Sequence, residues 1–465
     1  MKASMKSQLD SGLPSSWLDV TLGEVIDYGA TEKAEPEEIL NDAWILELED
    51  IQKQTSKLIK KEYFSERQPK STKNRFMKGD VLYGKLRPYL DKVIIADDDG
   101  FCTTEIIPLK PGKLLNDRYL FYSLKRKEFL EYVSEVSHGL NMPRLGTKQG
   151  KSAPFKLAPL NEQTRIANKL DNLLAKVDAA QARLEKILVL LKRFRQSVLT
   201  AATSGELTRE WRNTNNISFH DWKVARLSEL AVSIRSGSGD KPSGHSEGIP
   251  VLRSSAVRDM KINFSDVRYF AKDKEISPCD SLKNGDLLFT RLSGSPEYVG
   301  NCAAVFGLPH TVVQYPDRLF CVKLKDLRSA LYLEIFFSSM QFKSYISQHI
   351  KSSAGHQRIT LEPIKNAEVN IPSITEQKEI VRRVESLFAL ADVVEKQYHE
   401  AKRRVDRLTQ SLLSKAFRGE LVPQDPNDEP ATELLKHIQA EREAQSACKP
   451  SRKKATRKHV VKAKK

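Results

Sequence analysis

The chain has 465 residues, enough for two or three ordinary domains, and 40% of them are hydrophobic, so buried cores are expected. Its formal net charge of +16 favours a nucleic-acid partner without proving one. No stretch approaches the ~18 apolar residues of a membrane span, and the first residues lack a secretory signal pattern. Five cysteines without a CxxC pair indicate neither a disulfide framework nor a metal cluster. These features predict a cytoplasmic protein with no membrane contact.

Residues 13–158 are predicted to form a first globular domain. Short β-like runs at Val93–Ala96 and Thr104–Leu109 precede a helix at Asp117–Ser137, and a polar, turn-rich segment covers Lys53–Lys73. This mixture of short strands and a late helix predicts an α+β fold.

A long amphipathic helix is predicted next, within a helical spacer at residues 159–207. Apolar residues recur with 4-3-4-3 spacing over about five heptads, which is typical of a coiled-coil seam. The seam comprises Ile166, Leu170, Leu173, Val177, Leu184, Leu191 and Val198, with Ala180, Ile187 and Phe194 at the intervening positions. Gly205 follows, as glycine commonly follows a helix C-terminus.

The same order of elements then repeats. A second α+β domain is predicted at residues 217–372, with strands at Leu287–Thr290 and Phe320–Leu324, a helix at Arg328–Ser352 and a polar segment at Ser236–Gly248. A second spacer follows at residues 373–421, with seam residues Ile380, Val384, Leu387, Tyr398, Val405 and Leu412, and Ala391, Val394, Ala401 and Leu408 between them. Residues 422–465 predict a proline-rich linker, a short helix at Ala431–Ser446 and a basic tail. That tail, Lys449–Lys465, holds nine Lys and Arg and no acid, so we expect it to bind polyanions loosely.

The repetition is a duplication. Leu160–Leu207 and Ile374–Leu421 share 14 identities in 48 ungapped positions, and Trp17 recurs as Trp222 in the domains before them. Because a lone seam would be left in water, the two helices are predicted to pair as an antiparallel coiled coil. If the helices were parallel, the second domain would have to lead the chain back along a helix of about 60 Å. Antiparallel pairing needs no such return, so the domains are expected at opposite ends of a spacer.

Catalytic motifs are incomplete throughout the sequence. Gly146–Ser152 reads GTKQGKS, one residue short of a phosphate-binding loop. No Asn/Asp-Pro-Pro-Tyr tetrapeptide of amino-methyltransferases is present, and Pro316-Asp317 lacks the later acid of a nuclease site. His138 and His356 have no matching acid or thiol at a useful spacing. We therefore predict a chain that is not an enzyme.

With the repeats laid out, the chain resembles the specificity subunits of type I restriction–modification systems, particularly the type IA group. The resemblance rests on Leu191–Leu199, Glu379–Asp392, Leu408–Leu421, Asn284–Ser295 and Tyr315–Leu319. It extends over nearly the whole chain. The first domain departs most and matches mainly at Trp17 and Pro159–Gln163.

The resemblance implies two target recognition domains, each reading one part of an asymmetric bipartite site in double-stranded DNA. The helices would set the unread spacer and bind two methylation subunits, and restriction subunits would join for ATP-driven translocation and cleavage. No cofactor would be bound by this chain, since S-adenosylmethionine, ATP and Mg belong to the partner subunits. An alternative is a tandem DNA-binding regulator or a coiled-coil adaptor without an associated enzyme. The run Ile187–Leu191, which is apolar on nearly every side of the helix, argues against it, because such a surface favours a further partner, although packing on the adjacent globular domain would also cover it.

Side chains that can reach base edges or phosphates give the candidate DNA contacts. All lie in or beside polar loops, and they are Lys85, Arg87, Asn141, Arg144, Arg253, Arg291, Ser293, His356, Gln357 and Arg358.

Overall fold

A computed structural model describes residues 12–139, 141–242, 247–276, 281–353 and 355–447. The chain divides into two compact units, residues 1–182 with 402–465 (unit 1) and residues 183–401 (unit 2). The basic tail Lys449–Lys465 lies outside the described residues, and the predicted domain boundaries stay predictions.

Unit 1 combines short strands with helices. A five-stranded sheet has the order Glu32–Ala34, Lys73–Phe76, Gly100–Thr103, Trp44–Leu46, Glu62–Tyr63, and only its Trp44–Leu46 and Gly100–Thr103 pair is parallel. A three-stranded antiparallel sheet has the order Val93–Ile95, Val81–Gly84, Ile106–Leu109, and Leu18–Thr21 pairs with Pro154–Leu157. The helices are Leu22–Val25, Phe64–Arg67, Asp117–Leu124, Lys127–Val136, Thr147–Lys151 and the terminal helix Ala431–Ala447.

The core of unit 1 draws on residues far apart in the sequence. Trp17, Tyr119 and Phe155 lie in one buried cluster with residues of both spacers and of the terminal helix. The late members of this cluster are Ile166, Leu170, Leu413, Ala416, Phe417, Ala431, Leu434 and Ile438. Arg442 of the terminal helix also donates hydrogen bonds to the carbonyls of Gly23 and Glu24.

Unit 2 repeats this plan. Its four-stranded antiparallel sheet has the order Ala231–Ser236, Leu319–Leu324, Leu287–Thr290, Cys302–Ala304. A three-stranded sheet has the order Leu292–Ser293, His356–Arg358, Lys351–Ser353, and paired strands are Lys223–Arg226 with Glu368–Ile371, Ile249–Leu252 with Val267–Phe270, and Val257–Arg258 with Lys261–Ile262. The helices are Arg209–Thr214, Leu227–Leu230, Ala330–Phe337, Met340–Ser347 and Leu361–Lys365. The predicted mixture of helix and strand in two similar domains is confirmed.

Two long helices, Leu160–Thr203 and Ile374–Ala416, contribute residues to both units. In unit 2, Val198, Leu199 and Ala202 lie in the same buried cluster as Ile380 and Val384. The Arg195 guanidinium in unit 2 also lies 2.6 Å from Asp392 and 2.7 Å from Glu395. Gly205 and Gly419 follow the helices with φ of +80° and +75°, a conformation that glycine adopts without strain.

Burial agrees with most of the predicted seam. Ile166, Leu170, Val177, Leu191, Val198, Ile380, Val384 and Tyr398 are buried, whereas Leu173, Leu184, Leu387, Val405 and Leu412 are half-buried. The prediction is wrong at Phe194, Val394 and Leu408, which are about 40% exposed. A straight helix drifts against a strict heptad repeat, so the buried face moves to neighbouring positions such as Leu199 and Leu413.

The two predicted late helices are each broken in two. In unit 1, Asp117–Leu124 ends before Arg126, whose backbone is extended at ψ 146°. In unit 2, Ser339 is extended, and its hydroxyl accepts a hydrogen bond from the Phe342 amide, which starts Met340–Ser347 as a new helix. The second helix ends at Ser347, and the last two residues of the predicted helix, Lys351 and Ser352, lie in the strand Lys351–Ser353.

The duplication extends to single hydrogen bonds. The Trp17 indole donates to Glu162 and the Trp222 indole to Glu376, both at 2.9 Å. Both acceptors are buried and lie three residues into a long helix. Glu162 also accepts from Gln424 at 2.6 Å, whereas Glu376 accepts from Arg212 and Thr208 at 2.7 Å. The same carboxylate therefore has a neutral partner in unit 1 and a cationic partner in unit 2.

Candidate nucleic-acid interface

Five of the six candidate residues of unit 2 lie on or beside its three-stranded sheet, which we name ribbon 2. Leu292 pairs with Arg358 and Ser293 with Gln357, while Lys351 pairs with Arg358 from the other side. Gly355 closes the hairpin at φ +78°, where a side chain would be strained. Lys351–Ser353 and His356–Arg358 therefore form a local hairpin, and the distant segment Leu292–Ser293 adds a third strand to it.

The side chains of ribbon 2 differ in how far they are exposed and in whether they already have a hydrogen-bond partner. Lys351, His356 and Arg358 are exposed, whereas Gln357 is half-buried and donates to the Ser352 hydroxyl at 2.8 Å. Arg291 precedes the ribbon, and its guanidinium donates to the Asp317 carbonyl at 3.1 Å and lies over the Phe320 ring. Ribbon 2 therefore offers several hydrogen-bond donors and cations along one short sheet.

Unit 1 has the same arrangement in a shorter form, which we name ribbon 1. Arg144 forms isolated antiparallel bridges with Leu86 on one side and His138 on the other. The backbone amide of Arg87 donates to the Pro143 carbonyl at 2.7 Å, and its guanidinium donates to the Asn141 carbonyl at 3.4 Å. Candidates from two distant segments are thus brought together.

Ribbon 1 carries fewer free donors than ribbon 2. Arg87 and Asn141 are exposed and Lys85 is half-buried. Arg144 is also exposed, but Glu105 lies 3.1 Å from its guanidinium and offsets part of its charge.

The ribbons are equivalent in register. Lys85 donates its amide to the Glu105 carbonyl and accepts from the Leu145 amide, both at 3.0 Å. Arg291 donates to the Arg318 carbonyl at 2.9 Å and accepts from the Ile359 amide at 3.0 Å. The duplication therefore matches Lys85 with Arg291, Leu86 with Leu292, His138 with Lys351, and Arg144 with Arg358.

Arg253 is the candidate that lies elsewhere. It follows the strand Ile249–Leu252, and its amide donates to the Asp266 carbonyl at 3.0 Å. Its guanidinium also lies 3.5 Å from the Asp266 carboxylate. Arg253 therefore has a local acidic partner, as Arg144 does, and the role of all ten candidates in DNA binding stays a prediction.

Three further residues of the ribbons were missed. Lys351 lay inside the predicted helix Arg328–Ser352, so its place in a strand was hidden. Tyr89 and Met142, on ribbon 1, are 51% and 47% exposed. Exposed apolar residues carry no sequence signal of their own, although the sequence Arg87-Pro-Tyr-Leu indicates a turn that presents its tyrosine.

A ribbon of this size and chemistry suits DNA. The major groove admits a two-stranded β-ribbon, and Arg, Lys, Asn and Gln side chains donate to base edges and phosphates there. Both ribbons present such side chains on short segments that are paired through their backbones, as strands in ribbon 2 and as isolated bridges in ribbon 1.

Other chemistry has little support within the described ranges. They contain no group of three or more His, Cys, Asp or Glu that could hold a metal ion. No helix in the described part of the chain is long and apolar enough to cross a membrane. Cys102, Cys302 and Cys321 are buried, and burial raises the pKa of each thiol, which disfavours a reactive thiolate.

Comparisons with solved structures identify the fold. The HsdS subunit from Thermoanaerobacter tengcongensis superposes with a TM-score of 0.58 at 19% identity, covering 88% of this chain and 98% of that one. A chain from a structure of type I R-M system assembly and conformational transition gives 0.64 at 18% identity, covering 88% and 99%.

Comparisons of sequence identify the family. The sequence model of the type I restriction modification DNA specificity domain matches residues 14–189 and 220–403. The EcoKI specificity subunit of Escherichia coli (strain K12) is 39% identical over 355 residues, which are 75% of this chain and 76% of that one. The StySPI specificity subunit of Salmonella potsdam is 34% identical over 356 residues, with the same coverage. The prediction of a non-catalytic specificity subunit is therefore confirmed, and the chain belongs to the type I restriction-modification DNA specificity family.

Proposed function

We propose that this chain binds an asymmetric bipartite DNA target and directs adenine-N6 methylation and ATP-dependent restriction by partner subunits. The observation that carries the proposal is the duplicated ribbon: the two ribbons match in backbone pairing and in the arginines Arg144 and Arg358, but they differ at other matched positions, such as His138 and Lys351. Equivalent backbones suit equivalent docking in a groove, whereas different side chains suit two different base sequences.

The long helices would set the distance between the half-sites by pairing as an antiparallel coiled coil. In unit 1, Ile166 and Leu170 share a buried cluster with Leu413 and Phe417, so the start of one helix packs with the end of the other. In unit 2, Val198 near the end of the first helix shares a cluster with Ile380 near the start of the second. Both observations support antiparallel pairing along helices of 44 and 43 residues, each about 65 Å long.

An exposed apolar surface on the helices of unit 2 would bind a methylation subunit. It comprises Leu188, Val189, Leu190, Phe194, Leu390, Val393 and Val394, which are 39–62% exposed. The ion pairs of Arg195 with Asp392 and Glu395 bring the two helical stretches side by side within this unit. Exposed apolar side chains in this number on neighbouring helical stretches favour a protein interface.

Two methylation subunits and the restriction subunits would supply the chemistry. S-adenosylmethionine, ATP and Mg would bind to those partners rather than to this chain. The complex would work in the cytoplasm, where these cofactors and double-stranded DNA are available.

The test is methylation-site mapping in cells that express the chain with its partner subunits. We expect one asymmetric bipartite adenine-methylated sequence. Arg144→Gln should relax base preference in one half-site only and Arg358→Gln in the other, each by about 1–3 kcal/mol of discrimination. The matched controls Arg418→Gln and Arg328→Gln remove exposed arginines of the same units outside the ribbons and should leave the map unchanged.

A heptad insertion tests the spacer. Seven heptad-compatible residues after Glu185 and seven after His399 keep the seam in phase and lengthen both helices by about 10 Å at ~1.5 Å per residue. The mapped spacer should grow by roughly three base pairs with both half-sites unchanged, since one base pair rises ~3.4 Å. An active complex with the original spacer would refute the proposed role of the helices, and a symmetric or unmethylated map would refute the proposed function.

A further inference from the structure

Tyr89 and Met142 expose apolar side chains beside the paired segments of ribbon 1. Tyr89 lies two residues after Arg87, and Met142 lies between Asn141 and Pro143, the residues whose carbonyls accept hydrogen bonds from Arg87. Single exposed apolar residues are common on proteins. Here both residues lie beside the hydrogen bonds that join the Arg87 loop to the Asn141–Pro143 loop, and these loops otherwise present polar and cationic side chains.

The turn that carries Tyr89 is held in a strained backbone conformation. Pro88–Leu90 forms one 3-10 turn between Arg87 and Asp91, and both of these non-glycine residues have φ of +50°. This conformation is unfavourable for residues other than glycine and persists only where the surroundings impose it.

Lys125 imposes this conformation from the interior. Its ammonium lies 2.6 Å from the buried Asp91 carboxylate and also donates to the Ser56 hydroxyl at 2.6 Å. Gln54 donates its amide to the Leu90 carbonyl at 2.9 Å. The exposed phenol of Tyr89 is therefore presented by a rigid support, which lowers the entropic cost of a contact.

The equivalent turn of unit 2 lacks this arrangement. Pro296–Tyr298 lies between Ser295 and Val299, whose φ values of −119° and −74° are unstrained. The Tyr298 ring is half-buried, with the Arg258 guanidinium 4.3 Å from its centre. The apolar feature is therefore specific to the first domain.

We propose that Tyr89 and Met142 form an apolar contact with a thymine methyl group in the half-site that ribbon 1 reads. The C5-methyl of thymine is the apolar group exposed in the major groove, and Arg87 would hold an adjacent phosphate while Arg144 reads a base edge. The polar ribbon 2 would instead read its half-site by hydrogen bonds. This inference rests on the proposed function and adds the chemistry of one half-site.

Uracil substitution tests the contact, because uracil pairs like thymine and lacks only the methyl group. The complex with co-expressed partner subunits is titrated against duplexes of the mapped target with uracil in one half-site or the other. We expect affinity to fall about fourfold per contacted methyl group in the half-site read by ribbon 1, the equivalent of ~0.8 kcal/mol for one buried carbon.

The double variant Tyr89→Ser, Met142→Ser should lose this sensitivity to uracil. Its discrimination at the other half-site and its salt dependence should stay those of the original complex, since no phosphate contact is removed. Leu40→Ser is the matched control, because Leu40 is 73% exposed in the same unit and lies outside ribbon 1.

Three results would overturn the proposal: a half-site for ribbon 1 without an A·T pair, no effect of uracil there, or full uracil sensitivity in the double variant. If the original complex discriminates no sequence at all, the proposed function fails as well. A complex that discriminates both half-sites but ignores the methyl group removes this inference alone.

Discussion

The buried ion pair of Arg212 and Glu376 predicts a large, localised loss of stability when its cation is removed. The side chains are 7% and 1% exposed, and the Arg212 guanidinium lies 2.7 Å from the carboxylate. In Arg212→Met, Glu376 keeps the Thr208 hydroxyl and the Trp222 indole, which are neutral donors. A buried carboxylate without its cation costs about 3–5 kcal/mol.

The equivalent carboxylate in unit 1 supplies an internal comparison. Glu162 has the neutral Gln424 where Glu376 has Arg212, so Gln424→Met removes one hydrogen bond to a carboxylate and should cost about 1.5–3 kcal/mol. Arg209→Met is the matched control for unit 2. Arg209 pairs only with the exposed Glu206 among the ion pairs of the described chain, and such pairs contribute about 0–1 kcal/mol.

Hydrogen–deuterium exchange measured by mass spectrometry separates the two units. In Arg212→Met, peptides from Lys223–Arg226 and Glu368–Ile371 should exchange at least a hundredfold faster, while Leu18–Thr21 and Pro154–Leu157 stay protected. Adding Glu376→Gln should restore part of the protection, because both charges are then removed together. Equal loss in both units, or a double variant no better protected than the arginine variant, would refute this reasoning.

Three further predictions concern pH, assembly and the tail. Burial raises the pKa of Glu334 to about 7, because the folded state disfavours the ionised carboxylate. The folded state is therefore most stable below the ordinary carboxyl pKa, where Glu334 is protonated, and it loses stability as pH rises through 7. Glu334→Gln should therefore stabilise unit 2 at pH 8.5 by up to about 3 kcal/mol and by little at pH 4.5 in urea unfolding, and a gain that is equal at both pH values would contradict this. Leu184→Asp with Tyr398→Asp should abolish assembly with the methylation subunits, because unpaired charges on an apolar seam cost several kcal/mol; normal elution of the complex in size-exclusion chromatography would count against helix pairing. Deleting Lys449–Lys465 should weaken binding to scrambled DNA and flatten its salt dependence while cognate discrimination persists, and lost discrimination would show that the tail carries specificity.

Local periodicity made the helices and the duplication predictable. A seam repeats every few residues, so Ile166 or Ile380 can be assigned from its neighbours alone. The breaks in the late helices were less visible, because Ser339 is a weak signal inside an apolar run. Reading that serine as a helix N-cap would have divided the predicted helix in two at the right place.

The ribbons could be predicted only as separate loops. Arg144 pairs with Leu86 across almost sixty residues, and such register is set by tertiary packing rather than by local sequence. Residue type alone therefore selected Arg87, Arg253 and Arg358 as exposed cations, but it could not show that Arg253 lies beside Asp266 rather than on the ribbon.

The split core of unit 1 has a consequence for how the chain is made. Trp17 shares its buried cluster with Phe417 and Leu434, whereas unit 2 is one continuous segment. At roughly 5–20 residues per second, a ribosome needs about 13–50 s to add the residues between Ala182 and Leu434. During that interval the first domain lacks part of its core, although its own sequence has long been synthesised. The second domain can therefore complete its core first, and the earliest residues to emerge are among the last to be fully buried.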